Sequence, residues 1–210
     1  KRLPPDEVYR MLCWACRLFG HTPMAGRLAI EDAHPVGNVQ VEQRDGVAID
    51  RISAGVAEGP FRLEILTQGR FQTHLRLRNF ELWQVGLLAI ALRDLGSAWA
   101  PLGFATSRGL GRVSLRYDAL TISYPGRFTT EDRFHTRLYG LKRCLMDEQI
   151  AGQYGLIDEE PLALPTDGCT LVDGWGRLGV TYSGHKPVLA VLKSTVTAWK
   201  QLVESQAKRG

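Results

Sequence analysis

The sequence predicts an α+β fold, and three observations predict it. Short runs that alternate apolar and polar residues recur between residues 26 and 124, at the period of a half-buried strand. Residues 80–95 and 187–207 instead repeat their apolar side chains at helical spacing. Hydrophobic content of 44% over 210 residues is enough for one domain with its own core, plus an extension.

Residues 1–12 read as a loop entering a short helix, because Pro4-Pro5-Asp6-Glu7 puts proline and acids in a first turn. Cys13 and Cys16 follow in Leu12-Cys13-Trp14-Ala15-Cys16-Arg17-Leu18-Phe19-Gly20. This pair can offer two thiolates to a structural zinc ion, with His21 or His34 as candidates to complete the site. Two buried free thiols, or a redox pair, are the other readings. Residues 26–32 alternate and read as a strand. Residues 36–59 differ: they contain Gly37, Gly46, Gly55 and Gly59 and the run Val47-Ala48-Ile49-Asp50-Arg51-Ile52. They read as a projecting β-hairpin. Val47, Ile49 and Ile52 would then be apolar residues on an exposed arm, which suggests a contact. A loop folded back over the core is the plainer reading.

Residues 61–66 and 71–77 read as two strands joined at Gln68-Gly69. Leu63 and Ile65 share one face; Phe71, Thr73, Leu75 and Leu77 share a face of the second strand. Arg62, Gln72, His74, Arg76 and Arg78 point the other way. Asn79 stands where an N-cap belongs and Gly96 where a C-cap glycine belongs, around a helix at 80–95. Leu82, Val85, Leu88, Ala89 and Leu92 form its stripe, widened by Trp83, Leu87 and Ile90, so this helix should be largely buried. Residues 113–117 and 119–124 read as a strand region bent near Asp118. Residues 129–154 read as mostly helical, capped by Thr129 or Thr130, with Leu138, Leu141, Leu145 and Ile150 toward the core. Residues 156–168 form an acidic loop, 171–182 a small hairpin, and 187–207 an amphipathic helix. Val188, Val191, Leu192, Thr195, Val196, Trp199 and Leu202 line one side of that helix.

The chemistry concentrates at residues 101–113, P-L-G-F-A-T-S-R-G-L-G-R-V. Gly103, Gly109 and Gly111 let the backbone take positive φ and let another molecule approach the main chain. Arg108 and Arg112 supply fixed charge and planar donors suited to phosphate. A plain connection is the alternative. Net charge is +4 and pI about 9.0, a mild pointer to an anionic partner. Arginine carries most of it: residues 61–78 hold Arg62, Arg70, Arg76 and Arg78 against Glu64, and residues 101–127 hold Arg108, Arg112, Arg116 and Arg127 against Asp118.

Metabolic catalysis finds little support. The patterns G-x-x-x-x-G-K-[ST] and G-x-S-x-G are absent, and the histidines at 21, 34, 74, 135 and 185 are scattered. Glu31-Asp32 is a metal-binding pair or, more plainly, a solvated strand end. Asp50 is the one acid to watch as a catalytic group. Beside a bound RNA backbone it could orient a 2′-OH or a divalent metal ion; holding the arm together with Arg51 is its plainer role. No signal peptide and no bilayer-spanning apolar run stands in the sequence. The expectation is a cytoplasmic chain that contacts no membrane, with Cys13, Cys16, Cys144 and Cys169 reduced.

Three stretches resemble the repeat-associated mysterious proteins (RAMPs) of CRISPR effector complexes, and most of all the backbone subunit of type III complexes. They are C-W-A-C-R-L-F-G at 13–20 followed by G-R-L-A-I-E-D-A at 26–33, V-A-I-D-R-I-S-A-G-V-A at 47–57, and L-G-F-A-T-S-R-G-L-G-R-V at 102–113. The resemblance implies a ferredoxin-like, RNA-recognition-motif-like core at 1–125 with a β-hairpin thumb at about 36–60. The likeness covers roughly residues 10–125; beyond it, the residue patterns make 126–210 a mostly helical extension that would pack on that core. The resemblance also implies that Arg108, Gly109, Gly111 and Arg112, with Gly103 in the same loop, hold guide (CRISPR) RNA. Val47, Ile49, Arg51 and Ile52 would belong to a thumb that wedges into the guide–target duplex. The implied partners are guide RNA, target RNA and other effector subunits. The family's opening strand and first helix should precede Cys13. The aspartate that cleaves target RNA in active backbone subunits should lie there too, so the chain, which starts at Lys1 without Met, reads as a fragment. An endoribonuclease, or a protein-only capping or scaffold subunit, are the alternative functions.

Overall fold

The computed structural model describes residues 3–125, 134–145, 147–174 and 177–208. The chain forms two compact units, Leu28–Arg76 as one and Lys1–Arg27 with Leu77–Gly210 as the other. Its class is the α+β that the sequence predicts, built from small antiparallel sheets and a long C-terminal helix.

Helix α1 (Pro5–Met11) starts where the prolines and acids predict it, with Asp6 and Glu7 in its first turn. Helix α2 (Trp14–Phe19) is capped by Cys13, whose Sγ accepts the Cys16 amide at 3.4 Å. Strands β1 (Gly20–His21) and β2 (Met24–Ala25) then close a small hairpin.

The second unit is a two-stranded ribbon. Strand β3 (Leu28–Ile30) pairs with β8 (Leu75–Leu77), β4 (His34–Pro35) with β7 (Phe71–Gln72), and β5 (Gln40–Ile49) with β6 (Val56–Gln68). The Glu31 amide to His74 carbonyl and the Val36 amide to Arg70 carbonyl bonds join the three ladders end to end. This corrects the expected pairing of 61–66 with 71–77. Leu63 stands opposite Arg44, and Ile65 opposite Glu42. The arm is accordingly longer than the 36–60 expected. Period-2 alternation shows that a strand exists, but not which strand it pairs with.

Helix α3 (Leu82–Gly96) is the buried helix predicted: Leu82, Trp83, Gln84, Gly86 and Ala89 are inaccessible. Its cap is not Asn79, which takes φ +49. Glu81 is the N-cap, and the Glu159 carboxylate, far along the chain, accepts the Leu82 and Trp83 amides at 2.6 and 2.7 Å. A short 3₁₀ turn, Thr106–Arg108, lies in the glycine-rich loop. Residues 113–117 alternate in burial but join no ladder among the described residues, contrary to the expected strand. The strand begins instead at β9 (Ala119–Pro125).

Residues 126–210 carry more strand than predicted. The N-cap proposed at Thr129 or Thr130 lies outside the described residues. Beyond it stand β10 (Arg137–Leu138), α4 (Leu141–Cys144), α5 (Glu148–Gln153), β11 (Leu162–Ala163), β12 (Cys169–Gly174), β13 (Arg177–Ser183) and α6 (His185–Ala207). The segment expected to be mostly helical at 129–154 is broken up, with β10 ahead of α4 and extended backbone at Leu145 separating α4 from α5. Ile150 is exposed rather than core, while Leu138 is buried. The predicted hairpin at 171–182 forms and takes β9 as a third strand, in the order β12-β13-β9.

The core lies where α3 and α6 meet that sheet: Leu82, Ala89, Ile122, Tyr124, Val180, Tyr182, Val188 and Val191 form one cluster. The two helices approach backbone to backbone at Gly86. A Cβ there would collide with the Thr195 carbonyl and approach the Trp199 Cβ at 3.1 Å. No helix among the described residues is long and apolar enough to cross a membrane.

Candidate nucleic-acid interface

The glycine-rich loop is pinned at its base and open at its crown. The Leu102 amide donates to the Gly111 carbonyl at 2.8 Å, and a Cβ on Gly111, at φ +80, would collide with the Leu102 carbonyl. The base therefore demands glycine. Around Gly103 and Gly109, at φ +78 and +85, an added Cβ would meet nothing within 4 Å. Inside the loop the Arg108 and Gly109 amides close a turn onto the carbonyls of Ala105 and Thr106. The amides of residues 103–107 donate to no acceptor among the described residues. Amides left without an acceptor in the chain can donate to an anion.

Arg108 and Arg112 are both exposed, and neither has an ion-pair partner among the described residues. The neighbouring arginines differ. Arg116 lies 3.1 Å from Asp118, and Arg93 lies 2.7 Å from Asp94. The two loop arginines thus carry charge with no ion-pair partner among the described residues, as do Arg51, Arg70, Arg78, Arg137 and Arg177, and their forks fit phosphate. Large apolar groups of the same stretch stand in water: Trp99 is 85% exposed and Phe104 71%. The sequence does not single these two out, because a lone tryptophan or phenylalanine carries no sign of which way it faces.

At the far end of the ribbon, Asp50 governs the turn. Its Oδ1 accepts the Ile52 amide at 2.6 Å and the Ser53 amide at 3.1 Å, while its own amide donates to the Gly55 carbonyl at 2.9 Å. The amides of Ser53 and Ile52 hold its carboxyl below the usual range, since they bond the ionised form. The sequence's plainer role for Asp50, a hydrogen bond holding the arm, is thus present, made with turn amides rather than with Arg51. Ile49 and Ile52 flank it, 64% and 98% exposed, and Val47 and Arg51 are exposed nearby. The ribbon's other charges are largely spent on it: Arg62 lies 3.6 Å from Asp45, and Glu31 lies within reach of His74 and Arg76.

Cys13 and Cys16 come together at the start of α2. The Cys16 backbone amide holds the Cys13 thiol below its ordinary range, and the Cys13 sulfur pushes that of Cys16 up. No group of three or more His, Cys, Asp or Glu side chains placed to hold a metal forms among the described residues. The pair alone offers two of the four ligands of a closed zinc site.

The unit that holds the helices also contains a buried polar network that the sequence does not announce. Glu81, fully buried, accepts the Tyr9 hydroxyl at 2.6 Å and the Ile157 amide at 3.0 Å, with Arg27 at 3.6 Å. Gln84 accepts from the Glu81 amide and from Arg27, and donates to the Arg17 carbonyl. The guanidinium carbons of Arg17 and Arg27 stand 4.8 and 4.7 Å from the Tyr9 ring centroid. Burial, the Glu81 charge and the hydrogen bond to it push the Tyr9 hydroxyl well above its ordinary range. The only signal in the sequence is the type of each residue; their meeting depends on separations of 57 to 76 residues.

The family model of the RAMP superfamily matches residues 3–114, more than half of the chain. The chain belongs to the RAMP superfamily, whose domains are ferredoxin-like and whose members are CRISPR-associated RNA-binding subunits. The match spans the cysteine pair, the ribbon and the glycine-rich loop. No curated protein matches the chain.

Proposed function

We propose that this chain is a guide-RNA-binding subunit of a type III CRISPR effector ribonucleoprotein. Its glycine-rich loop would hold the guide backbone, and its ribbon would act as the thumb that wedges into the guide–target duplex. One observation carries the reading. The loop presents Arg108 and Arg112 without an ion-pair partner among the described residues, beside amides without an acceptor and backbone open at Gly103 and Gly109. Such a surface suits a phosphate backbone and reads no sequence. The apolar, solvent-facing Ile49 and Ile52 at the ribbon tip suit insertion between bases rather than phosphate contact.

The test begins with purification of the protein with its partners and extraction of the nucleic acid that accompanies it. The expected result is RNA of a few discrete lengths sharing one constant end. A stable assembly free of RNA overturns the proposal in favour of a protein-only scaffold. On the purified chain, Arg108→Ala with Arg112→Ala should weaken RNA binding. The slope of log affinity against log salt should shrink by about one unit per lost phosphate contact.

A further inference from the structure

The exposed aromatic residues of the loop call for a ligand of their own. Trp99 leaves the C-terminal end of α3, where its amide still donates to the Asp94 carbonyl at 2.9 Å. Phe104 stands inside the loop, beyond the Leu102–Gly111 pin. Together with Leu102, 54% exposed, they hold large apolar surface in water within the same stretch, residues 99–112, as the two guanidinium groups that lack an ion pair. A patch of that kind marks a binding surface. Apolar surface alone would suit a protein partner, and arginine alone would suit any polyanion. Exposed aromatic faces and unpaired positive charge on one short stretch of chain fit a ligand whose bases are unstacked and whose phosphates run alongside. Bases already paired and stacked in a duplex offer no such face.

We propose that Trp99 and Phe104 stack on unpaired nucleobases of an RNA strand whose phosphates are held by Arg108 and Arg112. The loop then selects single-stranded RNA over duplex. This rests on the RNA-binding function proposed above and adds the form of RNA the loop takes. Stacking tolerates any base and is indifferent to salt, whereas phosphate contact is not.

The test uses the full chain with a short single-stranded homopolymeric RNA and a duplex RNA of equal length, each titrated at several salt concentrations. Trp99→Ala and Phe104→Ala should each weaken single-strand binding about tenfold, as loss of one stacked base does, with the salt slope unchanged and duplex binding little affected. Trp99→Tyr should restore binding and Trp99→Leu should not, because leucine keeps the apolar surface but loses the π face. Tryptophan emission should be quenched by the single strand in wild type and less so in Trp99→Ala. Both side chains are exposed, so neither variant threatens the fold. Wild-type affinity in both alanine variants overturns the inference. So does equal loss for duplex, or full rescue by leucine. If the arginine variants lose salt-dependent binding while the aromatic variants keep it, guide holding stands and stacking falls. If wild type binds no RNA, both fall. Loss of a neighbouring subunit with RNA affinity intact would make the patch a protein contact.

Discussion

Single residues carry two distinct tasks in this chain, and Glu159 shows the first. Burial raises its carboxyl from 4.5 to about 7, against the Leu82 and Trp83 amides that lower it and with Glu81 adding to the rise. The folded chain therefore binds this proton more tightly than the unfolded chain does. Stability from this group is full below about pH 4.5 and is lost as pH rises toward about 7. Urea midpoints measured across that window should fall with rising pH in wild type, and Glu159→Gln should flatten the fall. Asp50 shows the second task. Its Oδ1 takes both turn amides, so Asp50→Ala should speed hydrogen exchange at Ile52 and Ser53, while Asp50→Asn, which keeps an acceptor oxygen, should stay near wild type. Were RNA cleavage to survive in Asp50→Ala, the residue would have no part in that chemistry.

Packing of elements turns on how closely two helices approach. At Gly86, α3 and α6 come too near for any side chain, with the Thr195 carbonyl and Trp199 Cβ filling the place of a Cβ. Gly86→Val should destabilise the chain by about 1–3 kcal/mol through overpacking, read as a lower urea midpoint at unchanged m-value. Both helices are legible from spacing, since apolar residues that recur every three to four positions over four turns line one face of a helix and would scatter over both faces of a strand. Their termini are less so. Asn79 stands in the place of a cap for α3, but the cap is Glu81 with a carboxylate from residue 159, and a local pattern cannot name a partner that distant. The expected strand at 113–117 fails for a related reason: alternation records which side of a segment is buried, and a ladder also needs a neighbour.

Across the whole molecule, the ribbon of Leu28–Arg76 contrasts with the unit that holds the helices and the main core. Its tip gains little from burial, as Ile49 and Ile52 face water. Ile49→Asp with Ile52→Asp should leave folding stability within about 0.5 kcal/mol of wild type. The same pair should weaken binding to a guide–target duplex more than to guide alone, measured by titration of both RNAs. A large loss of stability would instead assign those side chains to a contact within the chain.

The α+β class, the two long helices, the C-terminal hairpin and the cationic glycine-rich loop follow from sequence alone. Each is written in local terms: a period, a glycine at a turn, a charge beside it. The RAMP likeness, too, is legible in motif order. Tertiary structure decided which strand pairs with which, since residues 61–66 alternate equally well in a sheet or on an arm. It decided that a glutamate from far along the chain caps a helix in the middle. It also decided that Trp99 and Phe104 face solvent. The physical reason is common to all three: exposure and pairing are properties of what comes near in space, and local periodicity does not encode that.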